Sequence, residues 1–244
     1  MSRRQTGWLA AALIMGVFGI WSILGMVADI AAFRGGAWVE AWSFQLSKAQ
    51  TQNEFFSPQD EDWQQAYALA NLAVRLSPMN ADYREGLARI HEARFIMAPI
   101  GDPEARPERE KAIASYRDSI RLRPTWPYAH AALAYALVRA GGHDAEMESA
   151  LAEAARLGPW EPKVMEAIVD IGLDGWYRIS PASRVIVSNT LLRSQSWAAG
   201  QAGQQHADRA WARVEAHHKQ ALVCAILPMQ DERNRQHCNS ANWK

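Results

Sequence analysis

The sequence predicts an all-α protein, in which one N-terminal transmembrane helix is followed by a short α-solenoid and by C-terminal capping helices. Three observations lead to this fold class. An uncharged run covers Trp8 to Ala28, apolar residues recur at three- and four-residue steps from Asp60 onward, and helix-ending prolines return at intervals. Alanine is abundant while Thr, Val and Ile are sparse, which favours helices over strands.

Composition and charge exclude several classes of protein. The chain has 244 residues, of which 49% are hydrophobic, enough to bury a sizeable core. Lys and Arg together number 26, as do Asp and Glu, so the formal net charge is zero. General basicity is therefore missing, and we expect no nucleic-acid partner. Two cysteines are too few for a disulfide scaffold or a zinc site made of cysteines alone.

The uncharged N-terminal run is the basis of the predicted membrane anchor. As a helix, residues 8–28 rise about 1.5 Å each, which is enough to cross a hydrocarbon core of about 30 Å and to contact the lipid bilayer. Arg3 and Arg4 precede the run, which favours a cytoplasmic N-terminus and places residues 35–244 on the outer side. A cleaved signal peptide is the competing interpretation. It is less favoured because the run is long and the best cleavage site has Met26 at the −3 position.

An amphipathic segment follows the anchor. Trp38, Trp42 and Leu46 recur at four-residue steps and so share one helical face. Tryptophans just beyond a span often lie at the level of the lipid headgroups. The same stripe also suits the first packed helix of the following domain, and both interpretations stay open.

The spacing of the helix-ending prolines is similar to that of a known family of helical repeats. Pro78, Pro124 and Pro159 each follow an Arg-Leu pair by two residues, and the second interval is close to the 34-residue period of the tetratricopeptide repeat. The chain resembles this family over 60–176, except that Val169 stands where the repeat usually has Gly or Ala. In order, we predict a cytoplasmic tail and transmembrane anchor over 1–34, a juxtamembrane amphipathic helix and linker over 35–59, tetratricopeptide-like repeats over 60–176, capping helices over 177–230 and a polar tail over 231–244.

The resemblance to tetratricopeptide repeats implies a groove lined by the first helix of each unit. The implied groove positions in this sequence are Asp82, Glu85, Arg89, Tyr128, Ala131, Tyr135, Lys163, Glu166 and Asp170. The two tyrosines fall at its centre, where their large rings and hydroxyls suit an extended partner segment. The alternative, that both tyrosines pack against a capping helix, stays open.

The remaining candidate residues are aromatic, His and Cys side chains. Trp126 and Trp160, which follow two of the prolines, are predicted to pack between repeats, the alternative being that they are exposed platforms for a ligand. His218 shares a face with apolar residues and is predicted to be packed, with His217 solvated. Cys224 and Cys238 form a candidate disulfide if the domain is outside the cytoplasm, the alternative being two free thiols. The sequence predicts no catalytic, cofactor-binding or metal-binding residues.

A second resemblance concerns function. The segment Arg123–Leu137, together with a single N-terminal span and a short helical domain, is similar to the VpsP family of bacterial exopolysaccharide biosynthesis proteins. That resemblance implies a scaffold in the bacterial inner membrane that binds protein partners of a polysaccharide assembly, without active-site residues. A tethered assembly factor of another envelope system, such as cytochrome c maturation, is the alternative. An enzyme is least favoured, because no nucleophile, base and orienting group can be assembled from the sequence.

Overall fold

A computed structural model describes residues 3–196, 201–227 and 232–239, and all regular structure in these ranges is helical. The chain forms two compact units, 1–123 and 124–244, each described by itself below. The first unit contains α1 (Arg3–Gln52), α2 (Asp60–Leu76), α3 (Ala81–Arg94) and α4 (Arg106–Leu122). The second contains α5 (Pro127–Arg139), α6 (Ala145–Leu157), α7 (Pro162–Asp174), α8 (Pro181–Ser196), α9 (Gln201–Ala216), α10 (Gln220–Ile226) and α11 (Glu232–Asn239).

Helix α1 is one continuous helix of 50 residues, with no break between the predicted anchor and the predicted juxtamembrane segment. Its apolar side chains from Leu13 to Val27 are exposed, and its most apolar stretch has a mean hydropathy of 2.0. The helix is thus long and apolar enough to cross a membrane, a property that signal sequences share. From Ala28 onward, a stripe of α1 is buried against α2 and α3.

Small residues and tryptophans join α1 to α2. A Cβ atom on Gly35 would lie 3.5 Å from the carbonyl oxygen of Ala66, so the two backbones approach closely at this point. Further along, Trp42 and Trp63 belong to one buried cluster, and the Trp63 indole donates a 2.8 Å hydrogen bond to the carbonyl of Ile90 on α3. Of the two interpretations of the tryptophan stripe, the structure therefore places Trp42 in the core of the first unit.

A buried polar pair and a buried arginine join α3 to α4 and to the loop between them. His91 Nδ1 lies 2.7 Å from Glu108 Oε2, and both residues are buried. Burial lowers the pKa of His91 below its usual value, although the neighbouring Glu108 carboxylate opposes this shift. Arg109 donates to the carbonyls of Ala98 and Pro99, which fixes the proline-rich loop onto α4.

The second unit begins with two helical hairpins, α5 with α6 and α7 with α8. Helices α7 and α8 approach closely at Gly172, where an added Cβ atom would be only 2.2 Å from a methyl carbon of Val187 on α8. Val169, the position at which the sequence departs from the repeat pattern, is fully buried one turn earlier on α7. The small residue that close packing requires is thus Gly172.

A break after α9 reverses the predicted exposures of His217 and His218. The sequence predicted capping helices over 177–230 with His218 packed, but α9 ends at Ala216 and His218 has a φ of 53°. This left-handed conformation ends the helix and turns its side chain outward. His218 is therefore exposed and His217 is half-buried, the reverse of the prediction.

The C-terminal segment is helical and covalently attached. Helix α11 lies within the predicted polar tail 231–244, and a disulfide joins its Cys238 to Cys224 on α10, with Cα atoms 5.7 Å apart. The His237 ring also stacks on Trp211 of α9, with ring centroids 4.4 Å apart. Two contacts of different chemistry thus hold α11 on the second unit.

Replacement of glycine by alanine is predicted to have opposite effects at two positions. Gly172 lies where α7 and α8 approach closely, whereas Gly86 on α3 faces open space. Gly172→Ala should lower the free energy of unfolding by about 1–3 kcal/mol, because the new methyl group overlaps Val187. Gly86→Ala on α3 meets no atom within 4 Å and should raise it by about 0.5–1 kcal/mol through higher helix propensity. Urea unfolding followed by circular dichroism measures both. A Gly172→Ala protein as stable as the wild type would contradict this packing.

Candidate partner-binding site

The three predicted groove positions of the first unit share one face of α3. Asp82 is exposed and accepts a 2.6 Å hydrogen bond from the guanidinium of Arg123. Glu85 and Arg89 form a longer ion pair, 4.0 Å between Oε1 and Nε. Since Asp82 is paired with Arg123 and Glu85 with Arg89, the face offers a partner alternating signs rather than one strong charge.

On α5, the three predicted positions differ in exposure. Ala131 is only 5% exposed, so it supports the helix from within and does not line an open surface. Tyr135 is 41% exposed. The Tyr128 hydroxyl donates a 2.5 Å hydrogen bond to Glu161, and this bond, with burial and the carboxylate charge, raises the pKa of Tyr128 to about 12. Tyr128 therefore remains protonated at neutral pH, and both tyrosines present ring surface on α5.

The two tryptophans that follow the prolines do not behave alike. Trp126 is half-buried and its ring lies 4.9 Å from that of Tyr128, centroid to centroid. Trp160 is 52% exposed, so the expectation that it packs between repeats is wrong. Proline spacing located both residues at helix starts, but it carries no information on which neighbour covers them.

On α7, the predicted groove positions meet α9 of the same chain. Lys163 is exposed, whereas Glu166 forms ion pairs with two arginines of α9, with contacts of 3.4 Å to both Arg209 and Arg213. Asp170 lies 3.2 Å from a second nitrogen of Arg213. A helix that the sequence predicted only as a cap therefore covers the acidic part of the predicted groove.

This contact between acidic α7 and basic α9, here called the α9 clamp, also includes histidines. His217 Nε2 lies 2.9 Å from Asp170 Oδ1. Burial raises the pKa of Asp170, but the hydrogen bond from His217 and the charge of Arg213 outweigh it, so the pKa lies below its usual value. Burial lowers the pKa of His206, which lies 3.8 Å from Glu166. The Asp170 carboxylate is therefore ionised at neutral pH.

The first unit also contains an aromatic pocket that the sequence analysis did not find. Its volume is about 560 Å³, and it opens between α1, the loop 53–59 and the start of α2. Its lining residues are Trp38, Ala41, Trp42, Gln45, Phe55, Phe56, Ser57, Pro58, Gln59 and Asp62. The adjacent Phe55 and Phe56 in a polar stretch were the available signal. Because aromatic rings alternate with amide and carboxylate groups in its lining, the pocket suits a ligand or partner segment that has both apolar and hydrogen-bonding groups.

Comparison with known protein families gives no match to this chain, and no curated protein matches it either. Within the residues that the structure describes, no three His, Cys, Asp or Glu side chains are grouped so that they could hold a metal ion. Cys224 and Cys238, which the sequence offered either as a disulfide or as two free thiols, form a disulfide. The nine implied groove positions are thus distributed over three helices in two units, and their union into one surface stays a prediction.

The α9 clamp predicts an energetic coupling between Asp170 and Arg213. Each of Asp170→Asn and Arg213→Gln should destabilise the protein, while the double variant should lose about 1 kcal/mol less than the sum, because the two side chains interact directly. Hydrogen exchange of amides in 201–216 reports the loosening of α9. Arg156→Gln is the control, because Arg156 makes a similar but exposed ion pair with Glu153 on α6.

The clamp also predicts a dependence on pH. The folded-state pKa of Asp170 is lowered, so its contribution to stability is complete above an unfolded value of about 3.9 and is lost as the pH falls through the folded value. Amides of α9 should therefore exchange faster on acidification in the wild type than in Asp170→Asn, relative to each protein at pH 7. Identical acid profiles for the two proteins would exclude this role of Asp170.

Proposed function

We propose that the chain is a membrane-anchored adaptor that assists bacterial exopolysaccharide biosynthesis or export by binding protein partners. In this proposal α1 is retained in the inner membrane, the N-terminus is cytoplasmic and residues 35–244 lie on the outer side. One observation carries the proposal. Helix α1 passes without a break from a stretch of exposed apolar side chains into the packed core of a helical unit.

We also propose that the helices form a tetratricopeptide-like array. In the first unit α1 pairs with α2 and α3 with α4, and α1 also contacts α3. In the second unit α5 pairs with α6 and α7 with α8, and α5 also contacts α7. Pairing of consecutive helices, with contacts from one first helix to the next, is how helical repeats stack. These contacts support the array within each unit.

The tyrosine face of α5 is the partner surface that we propose in the second unit. The α9 clamp occupies the acidic positions of α7, which leaves Tyr128 and Tyr135 as the accessible groove side chains on α5. Tyrosine offers a large contact area, loses little rotamer freedom on binding and can form hydrogen bonds. This face therefore suits an extended partner segment, and the proposed role is binding rather than catalysis.

The link to polysaccharide assembly comes from the resemblance of Arg123–Leu137 and the chain layout to the VpsP family. An assembly factor of another envelope system has the same anchor and the same kind of helical domain. Mass spectrometry of partners crosslinked to the full chain in its native membrane separates the two. Glycosyltransferases or a polymerase would support the proposal, whereas haem-handling proteins would support the alternative.

The tyrosine face predicts that Tyr128→Ala combined with Tyr135→Ala weakens partner capture about tenfold or more, since truncated aromatic anchors commonly cost over 1 kcal/mol. Crosslinked partner, quantified per molecule of adaptor, measures the effect. Helical content and the melting transition should stay close to wild type, because neither tyrosine is fully buried. The double Tyr→Phe variant is the control, because it retains both rings and should keep most of the binding. Unfolding of the double alanine variant would show that the tyrosines belong to the core.

The proposed topology predicts the behaviour of reporter fusions to the full chain. A reporter that is active only in the cytoplasm should be silent when fused after Lys244, and a reporter active only outside should work there. The same cytoplasmic reporter fused before Met1 is the control and should be active. A bright cytoplasmic fusion at Lys244 would contradict the orientation that Arg3 and Arg4 favour.

A further inference from the structure

The first unit has a defined height above the proposed bilayer, because α1 belongs to both. Asp29 directly follows the apolar run of α1, and its carboxylate accepts a hydrogen bond from the Tyr83 hydroxyl on α3. Burial, followed by this hydrogen bond, raises the pKa of Tyr83 to about 12, so the phenol stays a donor. The first turn of α3 is therefore level with the end of the apolar run.

Helix α2 reaches the same level from the opposite direction. Gly35 on α1 faces Ala66 and Ala70 on α2, and the two helices are joined by a short loop and run antiparallel. Seven residues back along α1 is Ala28, and the equivalent distance of about 10 Å forward along α2 leads to its last turn. Arg75, exposed in that turn, is thus level with the end of the apolar run.

The turn between α2 and α3 extends further towards the bilayer. Asn80 caps α3, because its side chain accepts hydrogen bonds from the backbone amides of Asp82 and Tyr83. Met79, immediately before this cap, is 78% exposed. Since Tyr83 is level with Asp29, Met79 lies on the membrane side of Asp29, beside the last apolar residues of the run.

Arginines surround this turn. The last turn of α4 lies here too, as ion pairs join Arg84 to Asp118 at 3.3 Å and Arg123 to Asp82 at 2.6 Å. A shallow pocket of about 230 Å³ is lined by Pro78, Met79, Arg84, Asp118, Arg121 and Leu122. The charged residues of these turns are Arg75, Arg84, Arg121, Arg123, Asp82 and Asp118. Arginines outnumber aspartates by four to three when Asp29 of α1, at the same level, is included, so this end carries a net positive charge. Guanidinium groups match phosphate geometry.

We propose that this end of the first unit binds the lipid surface of the bilayer. The end, here called the membrane-facing edge, consists of the last turn of α2, the turn 77–80, the first turn of α3 and the last turn of α4. Met79 inserts at the boundary between headgroups and acyl chains, and the exposed arginines contact lipid phosphates. The inference rests on the proposed membrane anchoring of α1. It adds a second lipid contact, which fixes the orientation of the first unit as well as its attachment.

The insertion of Met79 is tested by depth-dependent quenching on the full chain. Single Cys residues introduced as Met79→Cys, Phe44→Cys and Val17→Cys carry a fluorophore, while the native cysteines remain in their disulfide. Each protein is placed in nanodiscs of phosphatidylethanolamine and phosphatidylglycerol with brominated acyl chains. Phe44 is the matched control, because it is 75% exposed but lies about 24 Å beyond Ala28 along α1.

We expect several-fold stronger quenching at position 79 than at position 44, and strong quenching at position 17. Strong quenching at 17 with equal, weak quenching at 79 and 44 would overturn the inference and leave the anchor in place. Weak quenching at 17 would overturn the anchor, and with it the inference. The two failures are therefore distinguishable within one set of samples.

The phosphate contact is tested at the headgroup level. A spin label at Arg121→Cys should be relaxed by lipids that carry a nickel chelate on the headgroup. The same label at Glu104→Cys is the control, because Glu104 is also exposed but precedes the first turn of α4, at the opposite end of that helix. Equal relaxation at the two positions would show that the arginine turn is not at the lipid surface and would overturn the inference.

Discussion

The unbroken backbone hydrogen bonding of α1 is the constraint on which the first unit depends. Because α1 is one continuous helix from Arg3 to Gln52, the direction of its apolar half sets the direction of its packed half. Gly35 lets α2 approach, and Trp42 anchors the cluster that α3 completes. Every surface of the first unit, including the aromatic pocket, is thereby positioned relative to the apolar run.

The second unit is organised by a different kind of contact. Its hairpins close through dense apolar packing at Gly172, whereas α9 is attached to α7 through ion pairs between Glu166, Asp170, Arg209 and Arg213. Such partly exposed charges contribute less than apolar burial and weaken with ionic strength. The ion pairs therefore supplement the apolar residues that α9 buries, which are Ala207, Ala210, Trp211 and Val214, and their share of the attachment weakens as the salt concentration rises.

Local signals predicted much of the helical structure, and tertiary contacts account for what they missed. Helix α2 ends at Leu76, before the proline that the sequence identified as a stop. The exposures predicted for His217 and His218 were reversed. The apolar spacing on either side of these residues fits one continuous helix, but the chain turns at His218. Glu166 and Asp170 looked like open groove positions because nothing in their spacing reveals the approach of α9. The aromatic pocket needs a loop to return onto α1, which periodicity cannot show.

The disulfide between Cys224 and Cys238 ties the completion of the fold to a compartment. In a reducing cytosol these thiols stay apart, and α11 is held by weaker contacts such as the stacking of His237 on Trp211. In the proposed topology the bond forms only after translocation to an oxidising space, where it joins residues 14 apart in sequence and removes conformational freedom from the unfolded chain. The thiols of Cys224 and Cys238 would then distinguish translocated molecules, in which they are oxidised, from molecules retained in the cytosol, in which they are reduced.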